Sequence, residues 1–121
     1  MATVRYLVRD VAEALTFYVD HLGFEEGERW GAAFATVTRG DLTLWLSGPE
    51  TSAAQPMEDG RQPQPGGWNR LVIEVEDIEG LVAAMAAAGV SVRRTVISGP
   101  VGQQALIEDP SGNPIELFQA R

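Results

Sequence analysis

Apolar residues recur with the period of an α-helix in two stretches of the chain, and each stretch begins directly after an aspartate. The apolar positions are Val11, Ala14, Leu15, Tyr18 and Leu22 after Asp10, and Ile78, Leu81, Val82, Met85 and Ala88 after Asp77. Aspartate is a favoured N-cap because its carboxylate accepts hydrogen bonds from the first free backbone N–H groups. Glycine, which ends helices in a left-handed conformation, follows each stretch at Gly23 and Gly89. The pattern therefore predicts two helices.

Alternating apolar and polar positions predict strands before and after each helix. After the first helix we expect strands at about 24–30, 31–38 and 42–47, and after the second at about 90–97, 102–108 and 114–119. With one strand before each helix, the order β-α-β-β-β occurs twice, which predicts an α+β fold. Residues 48–66 have no period and are rich in Pro, Gly, Gln and Ser. We therefore expect one domain over 1–121, made of module one (1–47), a linker (48–66) that is a candidate flap, and module two (67–121).

Four short sequences in these modules resemble motifs of the vicinal oxygen chelate superfamily, the group of glyoxalases, bleomycin-resistance proteins and ring-cleaving dioxygenases. They are Val8-Arg9-Asp10-Val11, Thr16-Phe17-Tyr18, His21-Leu22-Gly23-Phe24, and Asp109-Pro110-Ser111-Gly112-Asn113-Pro114-Ile115-Glu116-Leu117. The resemblance covers nearly the whole chain except the linker. It implies two βαβββ modules forming an incomplete barrel around a concave groove, usually in a homodimer. It does not fix the function, because this scaffold serves several activities.

The resemblance also implies where a divalent metal would bind in enzymes of this superfamily. Family members place two ligands on the first strands of the modules and two on the last strands. Carried onto this chain, the four positions are Thr3, Leu44, Arg70 and Glu116. Only Glu116 is a good ligand, and a guanidinium has no lone pair to offer. We therefore predict no bound metal and no cofactor, and an enzymatic role becomes the less favoured interpretation.

The same four positions define which side chains we expect to face the groove, because side chains alternate between the two faces of a strand. This places Trp45 on the helix side. The candidate ligand-binding residues are Arg5, Trp30, Phe34, Leu44, Leu46, Trp68, Arg70, Glu116 and Phe118. They make an apolar, aromatic groove with few charges, which is suited to a planar ligand. Filling of the core or of a dimer interface is an equally good interpretation of the aromatic residues. We expect Arg70 and Glu116 to form an ion pair that is structural, ligand-binding or both.

Charge and composition narrow the classes of partner. Seventeen acidic residues against nine basic ones give a net charge of −8, which argues against nucleic acid and favours a cationic or neutral ligand. There is no cysteine, so disulfides and thiolate sites are excluded. No apolar run is long enough to span a membrane, and the N-terminus does not read as a signal peptide. We therefore expect a cytoplasmic protein.

Three functions remain from the sequence. The favoured hypothesis is a metal-independent, homodimeric binding protein that sequesters an aromatic antibiotic or metabolite, similar to bleomycin-resistance proteins. The alternative is a superfamily enzyme, such as a lyase, an isomerase or a dioxygenase-like protein, acting on a small substrate in the same groove. A regulatory domain that binds a metabolite or a peptide is the third.

Overall fold

The computed structural model describes residues 2–121, which divide into two compact units, the first ending at Pro65 and the second spanning Gly66–Arg121. In the first unit, β1 (Ala2–Leu7), α1 (Val11–Leu22), β2 (Glu25–Trp30), β3 (Phe34–Arg39) and β4 (Leu42–Ser47) precede a short 3₁₀ helix (Ser52–Ala54). The second contains β5 (Leu71–Glu74), α2 (Ile78–Ala87), β6 (Val92–Ser98), β7 (Gly102–Glu108) and β8 (Pro114–Ala120). The predicted α+β order, β-α-β-β-β repeated, is confirmed.

Each unit contains one four-stranded sheet, and the two sheets have the same topology. The strand orders are β1-β4-β3-β2 and β5-β8-β7-β6, and each sheet is open, with two edge strands. The first strand of each unit runs parallel to the last, and the other neighbours are antiparallel. A helix connects the first strand to the second, as a crossover between strands requires. The internal repeat predicted from the sequence is therefore a structural repeat.

The predicted caps begin both helices. The Asp10 carboxylate accepts a hydrogen bond from the Glu13 backbone N–H at 3.0 Å, and the Asp77 carboxylate accepts one from the Gly80 N–H at 3.1 Å. Gly23, with a φ of 70°, ends α1 in the left-handed conformation. Neither helix among residues 2–121 has the length and apolar character needed to cross a lipid bilayer.

In each unit the helix packs on one face of its own sheet and leaves the other face open. The sheet residues buried under α1 are Tyr6, Ala35, Val37, Leu44 and Leu46, and those under α2 are Ile73, Ala105, Ile107, Ile115 and Leu117. Burial of such side chains is the main stabilising contribution to a small core. The open face is where side chains remain available to a ligand.

The turn between β7 and β8 is held by a buried carboxylate. Asp109 accepts hydrogen bonds from the backbone N–H groups of Ser111 and Asn113, both at 2.9 Å, and from the Asn113 side-chain amide at 3.0 Å. The Asn113 side-chain oxygen accepts a further bond from the Gly66 N–H at 2.7 Å. This part of the motif that carries the family resemblance therefore has a structural role, fixing β8 and the start of the second unit.

The segment expected to be a linker, 48–66, is folded back through turns. The Gly48 N–H donates to the Ala33 carbonyl at 2.9 Å, and the Met57 N–H donates to the Arg61 carbonyl at 2.8 Å. All of it up to Pro65 belongs to the first compact unit. Two of its residues, Thr51 and Ser52, lie beside the open face of the first sheet.

Candidate functional site

The open face of the first sheet carries three aromatic side chains in a row. Trp30, at the end of β2, lies 6.2 Å from Phe34 on β3, and Phe34 lies 5.8 Å from Trp45 on β4, measured between ring centroids. Both contacts are edge-to-face, the geometry that the ring quadrupoles favour. Trp30 is 69% exposed and Trp45 is 36% exposed, so a large apolar surface remains uncovered.

These aromatic residues line a concavity of about 660 Å³, which we call the first hollow. Its polar lining comprises Arg5, Glu28, Thr36, Thr43, Thr51 and Ser52. The Arg5 guanidinium lies 5.0 Å from the centroid of the Trp45 ring and donates to the Ser47 hydroxyl at 3.2 Å. These contacts fix Arg5 beside the indole.

The prediction that Leu44 and Leu46 face the groove is wrong. Both are fully buried beneath α1, and Trp45, which was expected on the helix side, faces the open side instead. The error arises in the turn before β4, where the residue that corresponds to Glu116 stands five positions after the turn glycine rather than four. A shift of one residue moves every side chain of a strand to the opposite face.

The open face of the second sheet carries a smaller, more polar concavity of about 360 Å³, the second hollow. Among its lining residues are Trp68, Arg70 and Glu116, which the sequence proposed, and Arg93, Arg94 and Gln104, which it did not. Phe118 is partly exposed on β8 but is absent from this lining. The three polar residues that the sequence missed lie on β6 and β7, where an irregular register removes a clear alternation signal.

Arg70 and Glu116 form the expected ion pair. The Arg70 Nε and Nη2 donate to the same Glu116 oxygen at 3.1 and 2.8 Å, and Nη1 donates to the Trp68 carbonyl at 3.4 Å. The side chains are only 31% and 14% exposed, so each charge needs the other. The pair neutralises the one carboxylate in the lining of this hollow.

Arg93 anchors the loop that carries Trp68. It donates to the Glu108 carboxylate at 2.9 Å, to the Gly67 carbonyl at 2.9 Å and to the Gly112 carbonyl at 3.1 Å. Its guanidinium also lies 4.5 Å from the centroid of the Trp68 ring, a cation–π contact. Trp68 is 69% exposed, so its indole is held in position while most of its surface stays open.

The four positions at which the family resemblance places a metal do not fit one. In the second unit, Val72 lies five residues before the helix cap Asp77 and pairs with Glu116. In the first unit, Arg5 lies five residues before the helix cap Asp10 and pairs with Trp45. The fourth position is therefore Trp45 and not Leu44, and an indole is no better a ligand than a leucine. Arg70 holds the single carboxylate. Among residues 2–121 there is no group of three or more His, Cys, Asp or Glu side chains placed to hold a metal ion.

Comparison with known proteins identifies the family. The model of the Glyoxalase/Bleomycin resistance protein/Dioxygenase superfamily matches residues 1–117. No curated protein sequence matches the chain. A family enzyme from Burkholderia phytofirmans PsJN has a TM-score of 0.82 at 20% identity, with 98% of this chain and 97% of that chain covered.

Two other solved structures have stated roles. TnmS3, an antibiotic binding protein from Streptomyces sp. CB03234, is 26% identical with a TM-score of 0.74, and the match covers 98% of this chain and 93% of that one. Lactoylglutathione lyase from Agrobacterium tumefaciens is 18% identical with a TM-score of 0.74, covering 98% and 92%, a likeness that shows the fold alone. The family match, together with the repeated βαβββ topology, leads to one conclusion: this chain belongs to the glyoxalase/bleomycin resistance protein/dioxygenase superfamily.

Proposed function

We propose that this protein binds and sequesters a small aromatic compound, such as an antibiotic or a metabolite, without the help of a metal. The proposal is based on one observation, the row of Trp30, Phe34 and Trp45 on the open face of the first sheet. An exposed aromatic row is costly to keep in water unless something covers it. A planar ligand that stacks on these rings would bury them.

The dimensions of the first hollow suit such a ligand. Its volume of about 660 Å³ lies within the range of roughly 300–1,000 Å³ that is usual for small-molecule sites. Each aromatic contact is worth roughly 0.5–1.5 kcal/mol beyond the area it buries. Arg5, Glu28 and the threonine hydroxyls supply the few polar groups that orient a ligand.

The antibiotic-binding relative supports capture as the role, since TnmS3 is 26% identical over nearly the whole chain. An enzymatic role in the family usually requires a metal, and Thr3, Trp45 and Arg70 are unsuited to binding one. Acid–base chemistry at Glu28 or Glu116 is the enzymatic alternative that these residues leave open. That alternative would be revealed by conversion of a bound compound.

Tryptophan fluorescence provides the test, because all three tryptophans lie in the two hollows. The Trp68→Phe variant keeps indoles only at Trp30 and Trp45, so its signal reports on the first hollow. We expect planar aromatic antibiotics, including bleomycin-type glycopeptides, to quench this signal saturably. In this background Trp45→Leu and Trp30→Leu should each weaken binding about tenfold, the effect of one lost aromatic contact at the upper end of its range.

Mass spectrometry of the ligand recovered after incubation separates binding from catalysis. Recovery of the compound unchanged agrees with sequestration, and a changed mass assigns the protein to the enzymes of the superfamily. If no aromatic compound quenches the fluorescence of the Trp68→Phe variant, the proposal is wrong. Mass spectrometry of protein purified natively is an independent route to the ligand.

We further propose that the protein is a homodimer in solution. Val72 and Val101 are apolar residues that lie outside the lining of both hollows and have more than half of their surface exposed. A second copy is the simplest way to cover part of this surface, and the family resemblance implies the same. Sedimentation at micromolar concentration should show a species of twice the monomer mass. A single species of monomer mass would contradict the proposal.

A further inference from the structure

The second hollow contains one arginine, Arg94, that has no ionic partner among residues 2–121. Arg94, on β6, is exposed, and its guanidinium makes no hydrogen bond or ion pair within residues 2–121. We propose that this hollow binds the anionic group of an aromatic ligand, a carboxylate, sulfonate or phosphate, with Arg94 as the ion-pairing residue and Trp68 as the stacking surface. The inference rests on the proposed function in taking the ligand to be aromatic.

The other two arginines of the hollow each form an ion pair with a glutamate. Arg70 directs two N–H groups to Glu116, so the positive charge of one and the negative charge of the other cancel. The N–H groups of Arg93 donate to the Glu108 carboxylate and to two backbone carbonyls. Arg94 therefore supplies the uncompensated charge, and a guanidinium is well shaped to pair with a carboxylate, sulfonate or phosphate in two parallel hydrogen bonds.

Further groups suit an anion attached to a ring. Gln104 lines the same hollow, and its side-chain amide has N–H groups that donate to an anion. The Trp68 ring is held by Arg93 at 4.5 Å, so stacking on it costs little ordering of the side chain. If a ligand ring stacks on Trp68, an anionic substituent of that ring would lie within a hollow that is lined by three arginines and one glutamate.

This distribution of charge favours an anionic group on the ligand, whereas net charge alone favoured a cationic or neutral ligand. The chain carries a net charge of −8, yet four of its nine basic residues line the two hollows, against Glu28 and Glu116. Charges more than about 8–10 Å away are largely screened at physiological ionic strength. The residues in contact with the ligand therefore decide the sign of the charge that it prefers.

Two fluorescent probes that differ by one sulfonate test the inference. 1-Anilinonaphthalene-8-sulfonate carries the anion, and N-phenyl-1-naphthylamine is the same ring system without it. We expect the sulfonate probe to bind about tenfold more tightly to the unsubstituted protein, the effect of one charged hydrogen-bonded contact. Arg94→Gln should reduce this preference to twofold or less and leave the affinity for the neutral probe within twofold.

Matched variants separate a specific contact from general charge. Arg61→Gln makes the same change in net charge at a side chain that is 83% exposed and outside both hollows, and it should leave the preference unchanged. Arg94→Lys keeps the charge and should keep most of the preference. Trp68→Leu should weaken the binding of the sulfonate probe. Circular dichroism establishes that each variant is folded.

The outcomes separate this inference from the proposed function. Equal binding of both probes, or a sulfonate preference that survives Arg94→Gln, overturns the anion site and leaves aromatic capture standing. Binding of the sulfonate probe alone, lost with Arg94→Gln, supports the anion site and limits capture in this hollow to anionic aromatic compounds. Failure of both probes to bind overturns the anion site, and aromatic capture is then decided separately by the fluorescence of the Trp68→Phe variant.

Discussion

Leu44 and Trp45 are neighbours on β4 that lie on opposite faces of the first sheet, and the same substitution at each should have opposite consequences. Leu44 is fully buried under α1, whereas Trp45 is 36% exposed in the first hollow. Threonine suits a strand, and at Trp45 it would lie on the same face as Thr43. Because both variants introduce threonine, Trp45→Thr and Leu44→Thr compare the two faces with the β-propensity of the introduced residue held constant.

The magnitudes follow from what each side chain contacts. Leu44→Thr removes buried apolar atoms and places a hydroxyl in the core, which should lower the free energy of unfolding by about 3–5 kcal/mol. Trp45→Thr removes one edge-to-face contact with Phe34, worth roughly 0.5–1.5 kcal/mol, and one cation–π contact with Arg5, worth roughly 0.5–1 kcal/mol. Together these contacts are worth about 1–2.5 kcal/mol, so Trp45→Thr should cost less than Leu44→Thr.

Urea denaturation followed by far-ultraviolet circular dichroism measures both changes without depending on tryptophan emission. With a slope of roughly 1–3 kcal/mol per molar urea, the two variants should differ in midpoint by about 1 M. Leu44→Val, with an expected cost of about 1 kcal/mol, gives a folded reference if Leu44→Thr does not fold. A Trp45→Thr variant that is destabilised as much as Leu44→Thr would refute the assignment of the faces.

Two further substitutions test the turn and the sheet of the second unit. Asp109→Ala leaves the buried donors of its turn without their acceptor, and it should lower the free energy of unfolding in urea by about 2–3 kcal/mol. The control Asp41→Ala, at the corresponding exposed turn, should change that free energy by about 0.5 kcal/mol or less. Gly102→Ala should lower the free energy of unfolding by about 1–3 kcal/mol, because the added Cβ would meet the Gln119 carbonyl. In the control Gly99→Ala the nearest neighbour of the Cβ would be 3.8 Å away, so thermal denaturation should show almost no change in stability. Equal effects within either pair would contradict the contacts described.

The local chemistry of the sequence was sufficient to place the elements. Helix caps are decided by a few neighbouring residues, and Asp10 and Asp77 cap the helices as the pattern indicated. The largest error in the strands is at β3, which begins at Phe34 rather than 31 because Gly31, with a φ of 59°, lies in the turn before it. The internal repeat supported the assignment of helices and strands, because the pattern of one module matched that of the other.

The faces of β4 could not be obtained by counting from the repeat, because the two units differ by one residue in the turn before their last strand. A better signal was present within β4 itself. Leu42, Leu44 and Leu46 alternate with Thr43 and Trp45, which is the pattern of a strand with its leucines in the core. Arg93 and Arg94 were missed for a different reason: long-range contacts to other strands and loops determine their roles, and a single sequence does not record those contacts.

The exposed edge of the first sheet limits how the chain can associate. Strand β2 lies at this edge, is exposed along its whole length, and contains Glu25, Glu26 and Glu28 next to an irregular register between Glu26 and Arg29. An edge strand with free backbone groups is a template for extension of the sheet by another chain. Antiparallel pairing of two such edges would bring glutamates of like charge close together, and the irregular register would interrupt the ladder. The like charges and the irregular register therefore disfavour aggregation by sheet extension at this edge, and the proposed homodimer would use other surfaces of the molecule.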